Sequence, residues 1–134
     1  MPHAFSANVF SVLTAGVVAF QLALVGGAPW GALTQGGRFV GALPPSARAI
    51  AAFSALLLLA FIGVVRSHAS AERPARFPRA VWVVVAYCAL GMVVNAITPS
   101  VWERALWLPV VILMFATSLH VARRPKQSAP TGAA

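Results

Sequence analysis

The stretch Ala80-Val81-Trp82-Val83-Val84-Val85-Ala86-Tyr87-Cys88-Ala89-Leu90-Gly91-Met92-Val93-Val94-Asn95-Ala96-Ile97 contains no charged side chain. A helix needs roughly 20 mainly apolar residues, each rising about 1.5 Å, to cross the hydrocarbon layer of a bilayer. This run meets that need, and others like it lie on either side. No Lys, Arg, Asp or Glu occurs from Met1 to Gly37, between Arg48 and Arg66, or between Arg104 and Arg123. The predicted spans are 8–26, 47–66, 80–97 and 102–122. The second has the shortest uncharged run, with Arg48 and Arg66 snorkelling to the two interfaces.

Composition agrees with this reading. The chain has 134 residues, of which 60% are hydrophobic and 9% charged, and its mean hydropathy is +0.84. A soluble domain carries about a quarter charged residues, so this chain lacks the polar surface to stay in water. The expected fold is all-α: a polytopic membrane protein with four transmembrane helices in a compact bundle of two hairpins. Residues 1–124 form one domain, and the Pro-rich, polar tail 125–134 is expected to be disordered and cytoplasmic. Met1-Pro2-His3 has none of the basic residues that open a signal peptide, so the first run is expected to remain as a span.

The basic residues fall unevenly. Arg66, Arg73, Arg76 and Arg79 in the middle loop, with Arg123, Arg124 and Lys126 in the tail, share one side. Only Arg38, Arg48 and Arg104 lie on the other. The positive-inside rule makes the richer side cytoplasmic, with both termini there. A net charge of +8 spread around the spans suits anionic headgroups at Arg66, Arg73, Arg76, Arg79, Arg123 and Arg124. It does not suit nucleic acid, which needs a continuous basic face. Cys88 is the chain's one cysteine, so no internal disulfide forms.

Helices in lipid associate by close packing and hydrogen bonds. The first span carries small residues at every fourth position: Ser11, Ala15, Ala19, Ala23 and Gly27. This stripe is expected to pack another helix, while Thr14 and Gln21 lie on the opposite face, making the first span the most buried of the four. The third carries Val84, Cys88, Gly91, Asn95 and Thr98 along one stripe. In the last span, Ser100 and Glu103 have the spacing of a capping box, and Pro109 interrupts the interior. Trp82, Trp102 and Trp107 fit aromatic belts.

The central thirds of the spans hold no carboxylate, Lys or Arg, which argues against a proton-coupled transporter. His3, His68 and His120 come from a terminus, a loop and a helix end, and are expected to lie separately at the interface. No metal set, cofactor motif or catalytic constellation is read. The remaining polar candidates are Arg38, Arg48, Asn95 and Glu103 on the outer face, with Glu103 paired to Arg38 or Arg48, or else completing the cap with Ser100. Between the first two spans, the Gly/Pro-rich loop from Gly26 to Pro45 is long for a helix connection, and is expected to fold as a cap.

Two patterns carry a resemblance. One is Gly27-Ala28-Pro29-Trp30-Gly31, Gly36-Gly37, Gly41-x-Leu43-Pro44 and Arg48. The other is Asn95-x-x-Thr98-Pro99-Ser100-x-x-Glu103-Arg104-x-x-Trp107-x-Pro109. Together they resemble a family of small bacterial four-helix inner-membrane proteins with no assigned activity. The likeness implies a bacterial inner membrane and directs attention to the outer face. The expected role is non-enzymatic: an accessory subunit with a membrane-protein partner or a second copy, or a binder of lipid or a small ligand. The alternative is an oligomeric transporter or channel for small solutes or ions. A lipid-modifying enzyme would have to use Glu103 with Arg38 and Arg48.

Overall fold

The computed structural model describes residues 2–70 and 77–125. Arg73, Arg76, Lys126 and the tail beyond it lie outside the described residues. The helices are α1 (His3–Val25), α2 (Pro45–Ala69), α3 (Ala80–Ile97) and α4 (Val101–Ala122). Each is long and apolar enough to cross a membrane, and no strand occurs among the described residues. α1 pairs with α2 and α3 with α4 as two hairpins. α1 also lies along α4, while the α2–α3 edge is the loosest of the four around the bundle.

Two helix boundaries differ from the expectation. α2, which has the shortest uncharged run, is the longest helix, with 25 residues. Pro45 sits at its start behind an extended Pro44, where a missing N–H costs nothing, and the helix continues beyond Arg66 to Ala69. A charged residue marks where a span leaves the apolar layer and does not end a helix. α1 begins at His3, directly after Pro2 at the N-cap position. α4 runs unbroken through Pro109.

The helix faces also differ. In α1 the residues that turn inward are Ala7, Phe10, Thr14, Val18 and Leu24. Ala15 and Ala19 are exposed, and Ser11, Ala23 and Gly27 are half-buried. The small-residue stripe of α1 therefore does not build this bundle, and α2, not α1, has the largest buried share. The stripe that does build it is Ala47, Ala51 and Ala55 on α2, all buried. Their methyl groups leave room for Phe10, Val18 and Leu24 of α1, the close approach that helix pairs in lipid require.

Buried apolar residues form two clusters. The larger joins Phe10, Leu58, Val65, Val81, Val84, Met114 and Val121 from all four helices. The smaller joins Leu24, Ala47 and Ala51 to Leu43 of the loop, and so holds the loop against the ends of α1 and α2. Within the loop, Gly31–Leu33 and Gln35–Gly37 are single 3-10 turns. The Gly31 N–H donates to the Gly41 carbonyl at 2.9 Å, folding the segment back on itself. A Cβ at Gly31 would lie 2.7 Å from the carbonyl oxygens of Phe39 and Gly41, so only glycine allows this closure.

At the opposite end, where both termini lie, the His3 and His120 rings meet at 4.6 Å between centroids. These two histidines are not separate, as their positions in the sequence suggested, because α1 and α4 are neighbours. Arg124 donates to the His68 and Ser70 carbonyls. Among the described residues no group of His, Cys, Asp and Glu is placed to hold a metal ion.

Candidate functional site

α4 begins directly under the loop, and its first two turns hold the loop by backbone groups. Ser100 Oγ accepts from the Glu103 N–H at 3.2 Å as an N-cap and donates to the Ala32 carbonyl at 3.1 Å. Trp107 Nε1 donates to the Leu33 carbonyl at 2.8 Å. The Glu103 carboxylate accepts from the Gly36 N–H at 2.9 Å and from the Thr98 hydroxyl at 3.0 Å, both on Oε2. Residues 100, 103 and 107 share one helix face because they are three and four apart. Gly37 sits tight against this face at φ 70°, where a Cβ would come within 2.7 Å of Ser100 Cβ.

Beneath the latched loop lies a cavity of about 280 Å³. Glu103, Thr34 and Asn95 line its loop end, while Leu58, Cys88 and Met114 line its deep end. Glu103 and Met114 are eleven residues apart on α4, so the cavity runs about 16 Å along the bundle axis. That is about half of a ~30 Å hydrocarbon layer. Leu90 and Val94 line it from α3 and are themselves exposed, so it opens through the loose α2–α3 seam. Toward the termini, the edge-on contact of Phe61 with Tyr87, 5.0 Å between centroids, closes that seam.

The chain matches no protein-family model, no curated protein and no solved structure. Its chemistry is therefore read from the site alone.

Of the outer-face residues expected from sequence, Asn95 and Glu103 both line the cavity. Asn95 donates to the Gly91 carbonyl on its own helix at 2.8 Å. The arginines go elsewhere. Arg48 Nε donates to the Leu43 carbonyl at 2.8 Å, and its guanidinium packs over Gly27. Arg38 lies over the Phe39 ring at 5.1 Å, and Arg104 donates to the Thr98 carbonyl at 2.6 Å. Among the described residues Glu103 therefore has no ion pair with Arg38 or Arg48. Nor does its carboxylate return to the Ser100 backbone to complete a capping box. It reaches across to the loop, because Gly36 presents its N–H there and removes the need for a local partner.

Three polar residues that the sequence reading did not place in a site complete the lining. Gln21, Ser54 and Tyr87 face the cavity, and among the described residues none of their side chains has a hydrogen-bond partner. Gln21 had been singled out only for its helix face. The cavity's remaining walls, including Val17, Phe20, Leu58, Leu90, Val94, Val111 and Met114, are apolar.

Proposed function

We propose that this protein is a non-enzymatic membrane component that binds a small amphiphilic ligand in the cavity under its latched loop. The carrying observation is the cavity itself: about 280 Å³, open toward lipid through one seam, with apolar walls and unpartnered polar groups at Gln21, Ser54 and Tyr87. Sites for small ligands have this composition, mostly apolar with a few polar groups that fix orientation. The arrangement of arginines and the resemblance of Gly27–Pro109 to small bacterial inner-membrane proteins support a bacterial inner membrane with both termini cytoplasmic. The cavity then belongs to the outer leaflet. The exposed Ala15 and Ala19 of α1 support a companion reading, in which a partner helix or a second copy covers that face.

The test is photolabelling of the purified full chain in maltoside micelles with a neutral long-chain alcohol bearing a diazirine. Saturable labelling concentrated on Leu90, Val94 and Val111, and lost in Ser54→Phe, is the expected result. Unsaturable labelling spread equally over lipid-facing Phe53, Leu56 and Val83 would overturn the reading.

A further inference from the structure

Among the described residues Glu103 has no counter-charge. It is one of two acidic residues in the chain, is only 9% exposed, and lines the cavity. Both its partners, the Gly36 N–H and the Thr98 hydroxyl, donate to Oε2, which leaves Oε1 without a partner among the described residues. Arg48, Arg38 and Arg104 contact the Leu43 carbonyl, the Phe39 ring and the Thr98 carbonyl, and none of them forms an ion pair with Glu103. A carboxylate buried in protein is costly unless something pairs with it, and Glu103 is buried at the head of its span, directly under the loop. This fold supplies donors for one carboxylate oxygen and no cation for the other.

The walls near the loop end suit a positive charge. Phe20 and Trp107 line the same cavity, Trp107 lies one turn below Glu103 on α4, and the two rings meet edge to face at 4.6 Å. Aromatic faces attract cations, more strongly when water is excluded. Among the described residues no basic side chain lines the cavity, so an anionic headgroup would meet repulsion from Glu103. Below Glu103 the apolar walls continue for about 16 Å, the length of a lipid tail or a small ring system within one leaflet.

Building on the reading that the cavity binds an amphiphile, we propose that its ligand class is the membrane-soluble organic cation. A single ammonium group pairs with Glu103 Oε1, and the apolar body lies along Leu58, Val94, Val111 and Met114. The latch serves the same end, since the hydrogen bonds that hold the loop also fix the carboxylate in place.

Three diazirine probes with the same alkyl chain and different heads test this in maltoside micelles, which contribute no competing cation. The heads are trimethylammonium, hydroxyl and sulfate. With the native chain, half-saturation of the cavity label by the ammonium probe is expected at roughly tenfold lower concentration than by the alcohol, and the sulfate probe is expected to leave the cavity unlabelled. Glu103→Gln removes the charge but still accepts from Gly36, and should abolish the ammonium advantage. Glu103→Asp, which keeps the charge, should retain part of it. Equal half-saturation by ammonium and alcohol in the native chain would overturn the cation proposal while leaving amphiphile binding intact, as would an advantage that survives Glu103→Gln. Absence of saturable cavity labelling by all three probes would overturn both.

Discussion

At the scale of single residues, the most informative comparison is between two tryptophans on one helix. Trp107 is half-buried, meets Phe20 and donates to the Leu33 carbonyl, whereas Trp102 is 73% exposed. Trp107→Phe keeps an aromatic ring but leaves that carbonyl without its donor, a loss of about 1–3 kcal/mol when the acceptor is cut off from water. Trp102→Phe should stay within about 0.5 kcal/mol of the native chain. Thermal unfolding of both variants in the same detergent measures the difference, and equal melting would mean that the loop is not held by this bond. The sequence made Glu103 and Trp107 visible as residues of interest, but not their partners. Beside the Thr98 hydroxyl that also donates to Glu103, those partners are backbone groups of Gly36 and Leu33, 67 and 74 positions away. A backbone N–H or carbonyl has no side-chain signature, so reasoning from charges looked to Arg38 and Arg48 instead.

At the scale of helices, the four spans were legible because uncharged runs of that length have few other uses. Which face of each helix turned inward was legible in α3, where Val84 and Cys88 are buried, Gly91 and Asn95 half-buried, and Thr98 just beyond the helix buried. In α1 it was not. The small residues at Ser11, Ala15 and Ala19 and the alanines at Ala47, Ala51 and Ala55 have the same four-residue period, and only the second set meets a neighbouring helix. Spacing alone does not say which of two equivalent stripes finds a partner. Ala51 is 1% exposed, so Ala51→Leu inserts volume where α1 and α2 approach, at about 1–3 kcal/mol. Ala19→Leu should leave the monomer's folded yield in detergent unchanged. A comparable loss at Ala19 would show that a second protein surface covers the α1 stripe.

For the whole molecule, orientation rests on the uneven placement of arginines. Fusion of a periplasm-dependent reporter to the C-terminus is expected to be inactive, and fusion after Gly36 in a truncated chain active. The opposite pattern would turn the cavity toward the inner leaflet. Nothing in the sequence announced the cavity. It exists because α2 and α3 fail to close on each other, and hydrophobic periodicity records where helices can touch, not where they leave a gap. The gap has a consequence for how binding to this protein is quantified. On the proposed reading its mouth faces hydrocarbon, so a ligand would arrive by diffusion within the membrane plane, and the quantity that sets occupancy would be its mole fraction among the lipids. Doubling the lipid at fixed protein and ligand dilutes a fully partitioned ligand twofold, although nothing in the surrounding water has changed. A dissociation constant written per litre of buffer would therefore drift with every preparation, whereas one written per mole of lipid would hold still.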